Sequence, residues 1–524
     1  MRLVVRVALM ACLTGVGAAR AQTDSGAAPG ATAPPSTTPD AGSPAPQTIE
    51  PTPGGETAPG LFEQSNAAAA AAPPSNATAE PAAAPSAPFT LSGYVRGDLF
   101  AGKVNDQDAA ELKSGYGELD LTLRTRKETY GDGFAEARLR YGLQGDGTQG
   151  TVVEVREAYV NAYLGPLDLR LGQQIIVWGR ADALNPTNNL TPVDFRIRSP
   201  LEDDIRLGNA GARAFLRFAP FRLEGVWMPI YLPTELPAVA LPQYVSYGPP
   251  AYPLLPAMNL KNGTEGARLH LELPAFDMSI SYVHGLALLP GLTMTSLTLT
   301  ADPNTGAPNP LIPPSILISR TAYEQQVFGL DFSTTLGEFG TLRGEAAYRR
   351  PYDWSVFPDD HHVAYPDLQY VLGADHTFGS LSVIAQYMGR YVFDWQKQSG
   401  PMNPLDPSVL PMQQMSNATA VTTSVNLLLS KDNQILFSQT AQVQHLGTLR
   451  FEWLGLHETL SVSSLCLLNF TTHEWLVTPR IGYKLSDTIV AYLGAQVFHG
   501  PTDTLFGIID AELSSGYVEL RYTF

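Results

Sequence analysis

Apolar and polar side chains alternate at every second position through much of residues 89–524, and this period of two is the feature that most constrains the fold. In one segment Leu119, Leu121 and Leu123 alternate with charged or hydroxyl side chains. Successive side chains of a β-strand point to opposite faces, so each such segment forms a strand with one apolar and one polar face. The sequence therefore predicts an all-β structure for this region.

The connections between these segments are alternately short and long. Tight joins are expected at residues 164–166, 219–220, 274–275, 336–340 and 378–379. Long joins rich in Pro, Asp and Asn are expected at residues 179–206, 231–263, 286–322, 351–366 and 391–441. A soluble sandwich also alternates apolar and polar residues, but short periplasmic turns opposite long external loops are typical of outer-membrane barrels.

We therefore predict a transmembrane antiparallel up-and-down β-barrel of about 18 strands. The range from roughly 16 to 20 strands stays open, because residues 418–434 fit either an extra hairpin or a loop helix. A barrel of this size is too wide for side chains to fill, so it encloses an aqueous channel or a lumen plugged by its loops.

The amino terminus reads as an export signal. Arg2 and Arg6 precede an apolar run, and Ala19, Arg20 and Ala21 form an A-x-A cleavage pattern, which predicts a signal peptide at residues 1–21. Residues 9–12 offer a less favoured lipoprotein cleavage box.

A low-complexity segment follows the signal. Residues 22–88 are mostly Ala, Pro, Ser, Thr and Gly without Lys or Arg, and such a chain buries too little apolar surface to offset its ordering entropy. We predict a disordered periplasmic arm, either an inert tether or a docking segment for a periplasmic export partner. The barrel domain then occupies residues 89–524.

Composition excludes several other classes of protein. After the signal, no apolar stretch approaches the roughly 18 to 20 residues that a helical membrane span needs. The formal net charge of −17 argues against nucleic-acid binding, which needs basic clusters. With Cys12 in the predicted signal, Cys466 stands alone, so no disulfide framework exists in the mature chain.

The polar strand faces are expected to line the lumen, and Trp178 is expected to end the fifth strand on that face. The predicted lumen-lining residues are Glu118, Asp120, Arg124, Glu136, Arg138, Arg140, Asp168, Arg170, Trp178, Glu519 and Arg521.

A long loop, residues 179–205, follows the fifth strand. Its predicted functional residues are Arg180, Asp182, Asn185, Asp194, Arg196, Arg198, Glu202, Asp203 and Asp204. In general porins the corresponding loop folds inward and narrows the pore, so we expect a constriction loop whose opposed Arg and acidic groups set a transverse field and an ion preference. A rigid loop that merely covers the lumen is an equally weighted alternative.

The last strand carries the most specific signal. Val518, Leu520, Tyr522 and the terminal Phe524 are apolar at every second place. This pattern resembles the C-terminal assembly signal of bacterial outer-membrane proteins, and the resemblance implies recognition by the barrel-assembly machinery.

Four further motifs carry a family resemblance. They are residues 178–187 (WGRADALNPT), 203–208 (DDIRLG), 474–479 (EWLVTP) and 503–507 (DTLFG). Together they are similar to a family of porin-like, largely uncharacterised outer-membrane barrels associated with lipid or hydrophobe export systems. The resemblance spans about residues 89–524, implies a channel or an export-linked role, and assigns no catalytic residue.

The predicted function is a porin-like outer-membrane channel for a small or lipid-like solute, in contact with outer-membrane lipid. The main alternative is a loop-plugged receptor or export-associated barrel that docks periplasmic partners. A barrel lipase or protease is less favoured, because the sequence lacks a nucleophile elbow or another local catalytic signature. No cofactor or metal is expected, since the four adjacent residues 359–362 (DDHH) of one loop rarely converge on one ion.

Overall fold

The structure is a computed structural model that describes residues 88–524 with short gaps. The gaps are residues 104–109, 126–129, 146, 237–244, 248–255, 257–259, 303, 310, 353–361 and 401–402. The predicted signal peptide and all but the last residue of the predicted arm lie outside the described residues.

Eighteen antiparallel strands form the barrel, as predicted. They are β1 (Phe89–Lys103), β2 (Ala110–Thr125), β3 (Gly131–Leu143), β4 (Gln149–Leu164), β5 (Leu167–Gln174), β6 (Asn209–Phe218), β7 (Phe221–Met228), β9 (Thr264–Leu273), β10 (Phe276–Leu286), β13 (Glu324–Thr335), β14 (Thr341–Pro351), β15 (Asp367–Phe378), β16 (Leu381–Val392), β17 (Val443–Gly455), β18 (Leu460–Asn469), β19 (Trp475–Lys484), β20 (Ile489–His499) and β21 (Ser515–Thr523). A separate small sheet contains β8 (Val245–Tyr247), β11 (Gly291–Thr298) and β12 (Ser315–Thr321).

The first and last strands close the barrel. β1 pairs with β2 on one side and with β21 on the other, in a register that places Arg96 opposite Arg521 and Leu99 opposite Val518. Closure leaves no unpaired strand edge, and an unpaired edge is the feature that a lipid bilayer does not tolerate.

The two ends of the barrel differ in their connections, as predicted. The end that holds Phe89 and Phe524 has tight turns, including residues 165–166, 219–220, 274–275, 336–340 and 379–380. The opposite end has long loops, including residues 175–208, 229–263, 287–323, 352–366 and 393–442. We call these the turn end and the loop end.

The outer wall is apolar and the inner wall is charged. In β2, for example, 38% of Leu121 is exposed but only 2% of its neighbour Asp120. Large apolar side chains such as Leu91, Leu171 and Leu372 are exposed in the same way on other strands. This outward apolar band is what a strand needs where it faces lipid.

The end of β5 and the bounds of the loop that follows it differ from the prediction. Strand β5 ends at Gln174 rather than at Trp178, because the Ile175 N–H donates to the Glu157 carboxylate (2.5 Å) and the Ile176 N–H to the Thr191 hydroxyl (2.9 Å). The loop after β5 therefore covers residues 175–208.

The ambiguous segment near residue 418 is a helix, not a hairpin. Helix α1 (Ala418–Leu436) begins after Asn417, whose side chain accepts hydrogen bonds from the N–H groups of Thr419 and Ala420 and so caps the helix. It packs on the small sheet at the loop end, where Ile316, Ile318, Val421 and Val425 share an apolar core. A shorter helix, α2 (Leu505–Leu513), lies in the loop between β20 and β21. Among the described residues, no helix has both the length and the apolar character of a membrane span.

Candidate functional site in the barrel lumen

The loop after β5 lies inside the barrel. We call residues 175–208 the inner loop. Its backbone and side chains bond to at least five wall strands, and several of its residues are fully buried, with Trp178 0% and Leu190 1% exposed. The lumen is therefore occupied by this loop at mid-height instead of being an empty cylinder.

One side of the inner loop packs by apolar contact. Ile176, Trp178 and Leu190 from the loop join wall residues of β7, β10, β13 and β14 in one cluster. The wall members are Val226, Met228, Val283, Val327 and Ala347. Burying these side chains removes apolar surface from water, so the cluster fixes the loop against this half of the wall.

Trp178 also makes a polar contact inside this cluster. Its indole N–H donates to Glu224 (2.8 Å), and Glu224 is bound in turn by Arg213 (2.8 Å) and His270 (3.1 Å). At Gly266 an added Cβ would lie 2.9 Å from the Trp178 ring, so glycine leaves room for the indole. Trp178 is buried between the loop and the inner wall, and it belongs to the loop and not to the strand.

Glu345 of β14 holds the next segment of the loop. Its carboxylate accepts hydrogen bonds from the N–H groups of Arg180 (2.9 Å), Ala181 (3.0 Å) and Thr187 (2.6 Å), and from the Thr187 hydroxyl (2.8 Å). The Arg180 side chain binds Asp331 of β13 (2.7 Å). Four donors on one buried carboxylate set the path of the loop backbone here.

The opposite side of the loop is held by ion pairs. Asp204 binds Arg96 (2.7 Å) and Arg138 (2.9 Å), while Arg156 donates to the backbone carbonyls of Asp204 (3.0 Å) and Asp203 (2.9 Å). Burial by itself raises the pKa of the Asp204 carboxyl, but the three guanidinium groups outweigh it and hold that pKa well below its ordinary value. Asp204 is therefore a carboxylate anchored in a basic cluster.

Arg450 of β17 reaches the loop from a third direction. It binds Asp182 (2.7 Å) and Glu202 (2.7 Å), two loop residues that are twenty positions apart in the chain. Burial raises the pKa of Asp182, although Arg450 acts to lower it. Arg450 thus links an early and a late part of the inner loop.

Other predicted loop residues bond within the loop or toward the loop end. Asn185 accepts the Asn188 N–H (3.1 Å), and Asp194 pairs with Arg196 (2.7 Å). Arg198 pairs with Glu512 of α2 (2.6 Å) and so ties the inner loop to that helix. Arg198 also contacts the wall, because the Tyr116 hydroxyl of β2 donates to its backbone carbonyl (2.7 Å).

The predicted strand residues lie on the inner side of the wall. Nearly all are buried: Glu118, Asp120, Glu136, Arg138, Arg140, Asp168, Glu519 and Arg521. They pair mainly with one another: Glu118 binds Arg96 and Arg140, Asp120 and Glu136 bind Arg138, Asp168 binds Arg217, and Glu519 binds Arg521. Arg124 and Arg170 are partly buried and stack on Phe134 and Tyr159.

The predicted assembly residues have the other orientation. Val518, Leu520, Tyr522 and Phe524 are 44–53% exposed on the outer wall. The Phe524 N–H and C=O also pair with Gly93 of β1 (3.0 Å each), so the terminal residue takes part in closing the barrel.

Two cavities flank the inner loop. The inner cavity, about 180 Å³, lies between loop residues 200–204 and the inner faces of β17–β21. The outer cavity, about 510 Å³, lies toward the loop end and contacts loop residues 184–195. Leu465 lines the inner cavity and Leu467 the outer one, and these residues are neighbours on the same face of β18. The two cavities therefore follow one another along the lumen.

Sequence reasoning missed the wall residues that hold the loop. Arg96, Arg156, Asp331, Glu345 and Arg450 were not singled out, although each has the polar parity of its strand. That parity identifies them as lumen-facing but does not say which of them meets the loop. Among the described residues, no group of three or more His, Cys, Asp or Glu could hold a metal ion, and residues 359–361 lie outside that part of the chain.

The closed strand ring, the apolar outer wall and the occupied polar lumen define a membrane-spanning β-barrel of the outer-membrane type. The chain belongs to the family described as protein of unknown function (DUF1302), whose model matches residues 94–421.

Several solved structures are similar to this chain at low sequence identity. OccAB3 of Acinetobacter baumannii has a TM-score of 0.46 and 9% identity, over 83% of this chain and 99% of that chain. OccK9 (OpdG) of Pseudomonas aeruginosa has a TM-score of 0.46 and 11% identity, over 83% and 97%. The outer membrane protein opdK of Pseudomonas aeruginosa has a TM-score of 0.45 and 9% identity, over 83% and 98%. No curated protein shows significant sequence similarity.

Proposed function

We propose that this protein is a porin-like channel of the bacterial outer membrane, in which a small solute passes through a lumen narrowed by the inner loop. The observation that carries the proposal is the position of this loop. It is bonded to opposite walls of the barrel and leaves the inner cavity between residues 200–204 and strands β17–β21.

The charges around the inner cavity support a selective passage. Glu202, Asp203 and Asp204 lie on the loop side. The wall side has an excess of basic groups: Arg138, Arg450, Arg480 and Arg521 against Glu136 and Glu452. Glu202 is exposed, and its carboxylate also contacts Arg450. Acidic groups facing basic groups across a narrow space create a transverse field, which orders the path of a polar or charged solute.

The test is single-channel conductance of the refolded mature protein in a planar bilayer. It is compared with a variant that lacks residues 182–204. We expect a steady conductance from the natural chain and a larger one from the variant, because the deletion removes the anchored part of the loop. Folding is checked by the resistance of the barrel to unfolding in detergent.

Silence of both proteins, with both barrels folded, would refute the channel and favour a loop-plugged receptor or an export-associated barrel. That alternative also includes docking of a periplasmic partner by the amino-terminal arm. Association with lipid export remains a prediction that rests on the four sequence motifs alone.

We further propose that the assembly machinery recognises the last strand through Val518, Leu520, Tyr522 and Phe524. Removing Phe524 should lower the amount of folded barrel in the membrane without changing the conductance of the molecules that do insert. An unchanged amount of inserted protein would contradict this role.

A further inference from the structure

The outer cavity differs in chemistry from the inner one. Its walls are largely apolar, with the inner loop on one side, strands β13–β18 on another, and the ends of α1 and α2 above. We propose that the outer cavity binds an uncharged solute with a compact apolar body, on the way to the inner cavity. The inference rests on the proposed channel function for that path and adds the class of solute.

The charged side chains that line this cavity already bond to other groups of the protein. Arg349 binds both carboxylate oxygens of Asp367 (3.0 and 2.9 Å). Arg390 binds the same carboxylate (2.6 Å) and donates to the backbone carbonyls of Phe437 (2.8 Å) and Ser438 (2.6 Å). A guanidinium group that already bonds to several protein acceptors has few N–H donors left for a passing solute.

The other charged lining residues are bonded in the same way. Arg350 donates twice to the Gln326 side chain (3.0 and 2.7 Å), and Glu474 accepts from the Phe506 N–H (2.8 Å) and the Thr472 hydroxyl (2.5 Å). A charged solute would have to compete with these bonds.

Apolar side chains supply most of the remaining surface, and uncharged polar side chains such as Asn188, Gln369 and Gln444 supply the rest. Phe195 and Val193 contribute from the inner loop, Leu446 and Leu467 from β17 and β18, and Phe437 from the end of α1. An uncharged solute gains by removing its own apolar surface, and that of these side chains, from water. The cavity volume of about 510 Å³ lies in the range that proteins use for small-molecule ligands.

The experiment is equilibrium binding by calorimetry, with the refolded mature protein in lipid nanodiscs and empty nanodiscs as the blank. Three probes of similar size are compared. Cyclohexanol is uncharged with an apolar body, glucose is uncharged but polar, and cyclohexanecarboxylate carries the apolar body with a negative charge. We expect saturable binding of cyclohexanol and weaker binding of the other two.

Two matched variants locate the site. Leu467→Trp fills the outer cavity and should weaken cyclohexanol binding by about tenfold or more, whereas Leu465→Trp on the same strand fills the inner cavity and should leave binding unchanged. Phe195 lies on the loop and is partly exposed, so Phe195→Ala should weaken cyclohexanol binding without disturbing the packing of the strands.

The inference is overturned if cyclohexanol does not bind, if glucose binds equally well, or if cyclohexanecarboxylate binds more tightly. Equal effects of the two tryptophan variants, or no effect of Phe195→Ala, would also overturn it. Because binding is measured without current, a conducting barrel that binds no cyclohexanol refutes only this inference. A silent barrel that binds it refutes only the channel.

Discussion

The Asp204 anchor predicts how firmly the inner loop is held. Replacing Asp204 by Asn keeps the shape of the side chain but removes the negative charge that faces Arg96 (2.7 Å) and Arg138 (2.9 Å). Both arginines keep other acidic partners, and the contacts of Arg156 to the loop backbone remain. The variant therefore weakens the anchor without leaving a guanidinium isolated.

The size of the effect follows from the two lost contacts. A hydrogen bond to a charged group contributes about 1.5 to 3 kcal/mol, and we assign about 1 kcal/mol to the weaker bond that the uncharged Asn oxygen keeps to one arginine. The net loss is thus about 2 to 5 kcal/mol. Since about 1.4 kcal/mol is a tenfold change in an equilibrium constant, the detached loop becomes at least about 30-fold more populated. We expect single-channel recordings of Asp204→Asn to show frequent excursions to a higher conductance.

The neighbouring Asp203 provides the matched control. Its side chain is 39% exposed, and it pairs with Arg206 (2.7 Å) and more distantly with Arg156 (3.4 Å). Such exposed pairs contribute about 0 to 1 kcal/mol, so Asp203→Asn should resemble the natural chain. Equal excursions in both variants, or in neither, would refute the assignment of Asp204 as the anchor.

The pH dependence has a definite sign. The pKa of Asp204 is lowered in the anchored loop, so its stabilisation is present above the ordinary value of about 3.9 and is lost only as the pH falls through the lowered value. The excursions that Asp204→Asn adds to those of the natural chain should therefore be equally frequent at pH 7 and at about pH 5. A difference between the two proteins that shrinks between these values would contradict this behaviour.

Three further predictions concern the wall and the lumen. Leu121→Arg should impair membrane insertion by about 2 to 4 kcal/mol, because Leu121 faces lipid, whereas Thr122→Arg should be tolerated; equal insertion of both would contradict the assigned faces. Trp178→Ala should destabilise the packed loop by about 3 to 5 kcal/mol, seen as faster proteolysis of the loop in the folded barrel, and unchanged proteolysis would contradict it. Glu345→Ala leaves the loop N–H groups unpaired at about 1 to 3 kcal/mol each, so it should raise the mean conductance, and a mean conductance equal to that of the natural chain would contradict the role of Glu345.

Much of the architecture could be predicted from the sequence. Because lipid tolerates no unpaired strand edge, an all-strand chain that spans it must close, and the period of two then assigns each side chain to the lumen or to lipid. Leu121 and Asp120 illustrate this, since their exposures of 38% and 2% follow from parity alone. Connection lengths marked the tight turns and long loops, and segment counting gave the strand number.

Strand ends were less predictable where side chains, instead of a neighbouring strand, accept the backbone hydrogen bonds. The apolar run that ends at Trp178 extends the pattern of β5, yet the backbone leaves the sheet at Ile175 because Glu157 and Thr191 accept its next two N–H groups. Residues 418–434 were ambiguous for a different reason. The apolar face of α1 makes sense only against the small sheet on which it packs.

The sequence by itself determined the closed barrel, its two faces and the presence of a charged loop after β5, since these follow from local periodicity and from what a bilayer tolerates. Only the tertiary structure decided how that loop is held and where space remains. Asp182 meets Arg450, 268 positions later in the chain, and Arg180 meets Glu345, 165 positions later. Parity places Glu345 and Arg450 in the lumen, but which loop residues they meet depends on the strand positions around the closed barrel, and local pattern does not encode those distances.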